Sequence, residues 1–355
     1  MFNLIIETPF YFYSLLISTT SIILIYFLLV KNNLLIELPS KNNRKIHIKK
    51  ITRIGGLSIL SFAIILFYSS NDTEIKILIS LSLLIFLAGF IEDITKNVSY
   101  KIRFLILIST VLVLTVSYDE FVVNFTHVEL LDNDFAKALL IIFSLLGILF
   151  CINGSNFIDG MNGLTLGTSI IIFINFSYYS FNSLENVFLL STILIFSILP
   201  LFLINIIYGE IFTGDGGSYI LGFLYGCLGI MLFNNNLIEA FHVACILFYP
   251  TTELIFTFFR RIYNRKNPFK PDRYHLHIMA FNLIVALFER NKIKIKKTTI
   301  NSLTSFLFLS ILSLLNFILL YFESNFEYLV SYIFLNILYL IVYFLIRRQF
   351  SKILI

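Results

Sequence analysis

The sequence predicts an all-α protein, a polytopic transmembrane helix bundle of about 11 spans (10 or 11). Three observations predict it. Only 13% of the 355 residues are charged and 58% are hydrophobic, whereas a soluble domain carries about 25% charged residues. Mean hydropathy is +0.89. Apolar runs recur near the length of about 20 residues that a bilayer crossing needs, with polar residues gathered between them. The expected spans lie roughly at 9–30, 54–70, 75–91, 104–118, 136–152, 164–181, 185–207, 217–233, 237–259, 300–321 and 327–346. The first run is long and has no basic leader or small-residue cleavage pattern, so it reads as a retained helix, not a signal peptide. Residues 119–135 carry Asp119, Glu120, Glu129, Asp132 and Asp134 and read as a loop. No internal repeat is visible, and residues 1–355 read as one integral membrane domain.

Basic residues set the orientation. With the N-terminus outside and eleven alternating spans, 24 of the 26 lysines and arginines fall on the cytoplasmic side, along with the C-terminus; only Lys76 and Lys137 remain outside. The net charge of +5 therefore describes one face, suited to anionic lipid headgroups or an anionic substrate. The charge is spread over short connections and no nucleic-acid module appears, which excludes nucleic acid as partner. Cys151, Cys227 and Cys245 lie in or beside apolar runs without paired spacing, which excludes a disulfide framework or cysteine zinc site.

In this topology five polar clusters share the inner face: "HIKKITRIGG", "GFIEDITKN", "CINGSNFIDGMNG", "GEIFTGDGGS" and "NPFKPDRYHLH". Asp215 sits among Gly214, Gly216 and Gly217; glycines admit a phosphate close to the backbone, and a carboxylate can hold Mg²⁺ together with phosphate oxygens. Alone, the run is also an ordinary tight turn. Asn156 and Asp159 share a helical face. An amide such as Asn162, flanked by Gly160 and Gly163, can read a base edge. Glu92 and Asp93 are neighbouring acids at a membrane boundary. Arg273 offers a rigid fork for phosphate, and His275 and His277 can donate to a diphosphate or carry a proton. His47 and Arg53 precede Gly55-Gly56, a pattern that suits an anion at a helix start. Each cluster has a bland explanation; five on one side point to one site.

The order of these clusters resembles the polyprenyl-phosphate N-acetylhexosamine-1-phosphate transferase family, which includes undecaprenyl-phosphate N-acetylglucosamine-1-phosphate transferases and, more distantly, phospho-N-acetylmuramoyl-pentapeptide transferases. The resemblance spans about residues 44–280 and rests on His47…Arg53-x-Gly55-Gly56, Glu92-Asp93, Asn153-x-x-Asn156-x-x-Asp159-Gly160-x-Asn162-Gly163, Gly214-Asp215-x-Gly217-Ser218 and Asp272-Arg273-x-His275-x-His277. It implies attack of undecaprenyl phosphate on a UDP-N-acetylhexosamine, release of UMP, and dependence on Mg²⁺, with Mn²⁺ as the alternative ion. By position it implies Asp215 and Asn156 at the metal and Asn162 with Gly163 at the nucleotide. It also implies catalytic parts for Glu92, Asp93, Asp159, Asp215 and His275. Arg273, His275, His277, Lys101, Arg103, His47 and Arg53 would face phosphate or sugar. The setting would be the inner (plasma) membrane, with a cytoplasmic active site. Glu92 stands where the family has aspartate, Thr52 where proline is common, and Ile278 where a further histidine often follows.

A transporter of nucleotide or lipid-linked sugars is the alternative. Such proteins show inverted repeats, broken helices and midplane polar residues; here Glu253 is the one acid noted within a span. A phosphatidyl transferase acting on CDP-alcohols would need an Ala-Arg and two further spaced aspartates that "DGMNGLTLGTS" lacks. The sugar, the glycan pathway (O-antigen, capsule or teichoic acid), the lipid length and the oligomeric state, a homodimer included, are left open by the sequence.

Overall fold

The computed structural model describes residues 2–30, 51–70, 72–124, 134–267 and 272–353. Its helices are α1 (Phe2–Ile25), α2 (Gly56–Ile59), α3 (Ser61–Ser69), α4 (Thr73–Thr95), α5 (Tyr100–Ser117), α6 (Asp134–Ile158), α7 (Leu164–Ser180) and α8 (Glu185–Tyr208). They continue as α9 (Gly214–Asn234), α10 (Ala240–Ile246), α11 (Phe248–Tyr263), α12 (Leu276–Arg290), α13 (Lys297–Leu319) and α14 (Asn325–Ile353). Among the described residues the only β pairing is an isolated parallel bridge, Thr52 with Ile211.

Local chemistry sets several boundaries. The Asp72 carboxylate accepts from the Glu74 amide at 2.9 Å and opens α4, satisfying a donor that the first turn leaves unpaired. Ser99 caps α5 in the same way. Gly209 ends α8 in the left-handed conformation (φ +64°), the usual helix stop.

Seven helices are long and apolar enough to cross a membrane: α4, α5, α6, α8, α9, α13 and α14. The pair α10–α11, bent by 82°, makes an eighth if it is one span. Apolar helices of 10–17 residues at 12–28, 56–68 and 164–180 occupy the other expected positions. All eleven expected segments are therefore helical, but fewer satisfy the full-span criterion. Helix α12 is an addition: the sequence reading left residues 276–290 inside a basic connection. Leu276, His277, Met279, Ala280, Phe281 and Val285 are its buried positions, a spacing that gives one inward face.

Helix α9 is the axis of the bundle. Some 94% of its apolar window is buried, against 17% for α14. It packs between α4 and α6, and Phe223, Leu224, Tyr225 and Leu228 are wholly enclosed. Lipid tails are as apolar as leucine, so helices associate there through close packing and polar contacts. Both occur. The Tyr225 hydroxyl lies 2.9 Å from that of Ser155 and 3.0 Å from that of Ser169, joining α9 to α6 and α7. Ser14 and Ser61 meet Ser197 at 2.6 and 3.0 Å, joining α1 and α3 to α8.

A methyl group at Gly222 would stand 2.4 Å from the Cys151 carbonyl oxygen, whereas one at Gly147 would meet nothing within 4 Å. Gly222→Ala is therefore expected to lower stability in detergent by about 1–3 kcal/mol, and Gly147→Ala to leave it unchanged or raised. Thermal melts of the two variants against the parent check this.

Candidate active site

The site is assembled on the segment that enters α9. Residues 52–56 run parallel to residues 210–213: the Thr52 amide donates to the Glu210 carbonyl at 2.9 Å, and the Phe212 amide to the Thr52 carbonyl at 2.8 Å. The Gly55 and Gly56 amides then donate to Phe212 and Thr213 at 2.9 and 3.0 Å. The Arg53 cluster is thereby fixed against the Asp215 cluster. Gly214 adopts φ +75°, and a Cβ there would lie 1.8 Å from the Arg53 carbonyl oxygen and 2.6 Å from Asp93 Oδ2. No other residue fits both the torsion and the space.

Three aspartates from three connections meet at this point. Asp93 Oδ2 accepts from the Gly216 amide at 3.0 Å, a carboxylate at the positive end of a helix. Asp215 Oδ1 accepts from Asn156 Nδ2 at 3.0 Å, and its Oδ2 pairs with Arg103. Asn156 Nδ2 also reaches Ser218 Oγ at 3.0 Å. The hydroxyls of Thr165 and Thr213 lie beside the Asp159 carboxyl and favour its charged form. Burial pushes the Asp159 carboxyl up to about 7; the nearby Arg53 guanidinium opposes this and the Asp215 charge adds to it. The charge balance is three carboxylates against Arg53 and Arg103.

The histidine cluster meets the C-terminal end of α6. His275 packs its ring edge-on to Phe157 with centroids 5.5 Å apart. It stacks on His277 at 5.6 Å and 15°. His277 is wholly buried; its Nδ1 lies 3.0 Å from the Tyr249 hydroxyl, and a Cβ on Gly160 would be 3.6 Å from its Nε2. Burial pushes its pKa down to about 3, with Glu253 opposing, so the ring is neutral. His275 and His277 therefore do not present a matched pair to one ligand, as residues two apart on a strand would: His275 precedes α12 and His277 lies within its first turn. Asp272 anchors the approach, pairing with Arg260 and, at 3.2 Å, with Arg261. Burial alone would raise its pKa, but Arg260, His275 and Arg261 hold the carboxyl well below its ordinary value.

Several expected residues have other surroundings. Glu92 turns back to accept from the Val98 amide at 2.8 Å; neighbours on a helix diverge by about 100°, so it does not share the direction of Asp93. Asn162 is 2% exposed. Its amide nitrogen donates to Ser302 Oγ at 3.2 Å and to the Thr298 carbonyl at 3.5 Å, and its backbone amide donates to Asn301 at 2.9 Å. The Gly163 amide donates to Asn205. Asn162 and Gly163 thus tie this turn to α13 and α8. Lys101 is exposed, as is Arg273, whose guanidinium lies 5.6 Å from the Tyr274 ring. His47 lies outside the described residues. Thr165, Thr213, Tyr249 and Asp272 were not among the candidates, for single hydroxyls in or beside apolar runs carry little signal; Asp272 lies within the Asp272-Arg273-x-His275-x-His277 motif.

Around this geometry stands a family match. Residues 75–233 match the family described as Glycosyl transferase family 4. The motif-based resemblance is thus shown: this stretch, which holds Asp93, Asn156, Asp159 and Asp215, matches a glycosyl transferase family. Among similar proteins is the undecaprenyl-phosphate alpha-N-acetylglucosaminyl 1-phosphate transferase of Thermotoga maritima, 26% identical over 240 residues, covering 68% of this chain and 71% of the relative. The protein of that name from Escherichia coli K12 is 26% identical over 259 residues and 68% of each chain. The phospho-N-acetylmuramoyl-pentapeptide-transferase of Staphylococcus haemolyticus is 28% identical over 256 residues, covering 65% of this chain and 78% of the relative.

Two outcomes follow. Asp159, with an ordinary value near 3.8 and a folded value of about 7, binds its proton more tightly in the folded state. The stability this gives is complete below the ordinary value and lost as pH rises through the folded one. The melting temperature of Asp159→Asn relative to the parent, in chelator, is expected to rise as pH is raised across that interval; a flat difference contradicts it. Asn162→Ala is expected to lose about 1–3 kcal/mol of stability by leaving buried partners unpaired, measured by denaturant or thermal unfolding.

Proposed function

We propose that this protein is an integral membrane enzyme that transfers N-acetylhexosamine 1-phosphate, or a related sugar 1-phosphate, from a UDP-sugar to undecaprenyl phosphate. UMP is released and assembly of a lipid-linked glycan begins, of the O-antigen, capsule or teichoic acid type. The observation that carries this is the meeting of Asp93, Asp159, Asp215 and Asn156 at the start of α9, inside the stretch that matches the transferase family. The names of the relatives supply the acceptor lipid and the sugar phosphate. The reading keeps the eleven-segment topology, with the N-terminus outside and the site at the cytoplasmic face of the inner membrane, on the strength of the basic-residue asymmetry.

The donor set fits a hard divalent ion. Asp215 offers carboxylate oxygens, and half a turn of the Asn156 amide presents its oxygen to the same space. Among the described residues no group of three or more acids, histidines or cysteines forms a closed metal site; Mg²⁺ needs only one or two carboxylates when phosphate oxygens complete its shell. When bound, Mg²⁺ or Mn²⁺ would neutralise charge on the diphosphate and on departing UMP.

The chain's own residues supply alignment, which is most of what phosphoryl transfer asks of a protein. An oxygen of the lipid phosphate attacks the β-phosphorus; the bond from that phosphorus to the bridging oxygen breaks, and UMP leaves with the electron pair. A phosphate monoester has a second pKa of about 6, so the acceptor is largely a dianion at neutral pH and needs no strong base. Asp93, already accepting from the Gly216 amide, orients the start of α9 and is not the nucleophile. Arg103 and Arg53 offer guanidinium charge to phosphate oxygens.

A transporter is not favoured, because the matched family is a transferase family. Glu253, the acid that suggested one, is buried among fixed partners.

Purified protein given undecaprenyl phosphate, a panel of UDP-N-acetylhexosamines and Mg²⁺ is expected to release UMP, and chelator to stop it. No UMP from any donor with folded protein overturns the proposal. Asp215→Ala is expected to lower kcat by about 10²–10³-fold. A phosphorylated Asp93 trapped during turnover would contradict the direct displacement.

A further inference from the structure

The one acid noted inside an apolar run has a structural role that the sequence did not reveal. Glu253 on α11 is wholly buried. Its Oε1 accepts from His275 Nδ1 at 3.0 Å and from the Leu276 amide at 3.4 Å. Its Oε2 accepts from the Tyr339 hydroxyl of α14 at 2.7 Å. The Thr257 hydroxyl, one turn along α11, stands 3.5 Å from Oε1. A buried carboxylate is costly unless its oxygens are satisfied, and here donors from three helices converge on it. Oε1 also satisfies the first amide of α12, whose N-cap residue, His275, makes no cap hydrogen bond of its own. The carboxylate thus serves the first turn of α12 and the histidine at once.

The consequence falls on His275. One face is stacked on His277 and an edge meets Phe157. Nδ1 is held by Glu253. A ring whose Nδ1–H is donated to a carboxylate has its second nitrogen, Nε2, unprotonated when neutral and a donor only when charged. His275 keeps about a tenth of its side chain exposed, and its Nε2 has no hydrogen-bond partner among the described residues. Phe157, which it touches, follows Asn156 directly on α6.

We propose that Glu253 is a positioning residue: it holds the proton on Nδ1 of His275 and so presents Nε2 to the ligand space beside α6, with Tyr339 fixing the second carboxylate oxygen. Its catalytic consequence rests on the transferase reading, in which Nε2 of the neutral ring accepts from a sugar hydroxyl or amide N–H of the donor, and donates to a diphosphate oxygen only when the ring is charged. Its structural consequence does not.

The test joins a spectrum to a rate. In full-length ¹⁵N-histidine-labelled protein in detergent micelles, the His275 signal is assigned by its loss in His275→Gln. The parent is expected to show the Nδ1–H form, and Glu253→Ala to shift toward Nε2–H. Glu253→Gln, which keeps an acceptor of the same shape, is expected to restore the Nδ1–H form. In the UMP-release assay Glu253→Ala is expected to lower kcat by about 10–100-fold, the usual cost of removing a histidine's orienting partner. KM for the UDP-sugar should change little, Tyr339→Phe should lose less, and Glu253→Gln should recover part of the rate. Unchanged tautomer and kcat in folded Glu253→Ala overturn the proposal. If that variant does not fold, Glu253→Gln and Tyr339→Phe decide it: a parent-like His275 spectrum with parent-like kcat in both counts against it. If the parent itself releases no UMP, the transferase reading fails, while the spectra still decide whether Glu253 orients His275.

Discussion

Crowding at one peptide turn governs the site. The main chain of Arg53, the carboxylate of Asp93 and the entry to α9 occupy the space in which any side chain at position 214 would stand. Because these groups touch there, the other distances follow. The Asp93 carboxylate reaches the Gly216 amide, and Asp215 is held where Asn156 and Arg103 can both address it. Segments far apart in sequence behave as one rigid corner, with α9 buried behind it as a strut.

The corner is electrostatically unusual for a membrane protein. Three carboxylates converge where water is scarce, a placement that costs free energy unless cations or donors offset it. Amides, hydroxyls and two guanidinium groups do so in part. The histidine side is more neutral: His277 is buried and uncharged, Asp272 is spent on Arg260 and Arg261, and Glu253 is spent on His275.

Much of this was legible in the sequence. An acid placed where an apolar run ends has few physical excuses, and Asp93, Asp159 and Asp215 all stand at such places. What was not legible has physical reasons. Glu92 and Asp93 are equivalent on paper, but a helix sends adjacent side chains apart, and one turned back to Val98. Asn162 has donor and acceptor chemistry that serves a base edge or a neighbouring helix equally well; α13, far away in sequence, claimed it. Helix α12 hid in a basic connection because its apolar stretch is short. The expected count of 10 or 11 spans includes helices shorter than a full crossing, because apolarity marks a helix before it marks its length, as at residues 56–68 and 164–180.

Helix α14 touches the body along a narrow seam. Tyr339 and Tyr343 pack on Phe256, the latter with ring centroids 4.4 Å apart, and Tyr339 reaches through to Glu253. Phe334, Ile337, Ile341, Phe344 and Leu345 look outward. In hydrocarbon solvent those outward groups exert little pull on the bundle, so the helix is moored by its inner seam, where Tyr328 also stacks on His242 with centroids 4.1 Å apart and Asn336 accepts from Thr252 at 3.2 Å. Evolution is accordingly free to redraft its outer surface for a thicker or thinner bilayer, so long as the moorings hold.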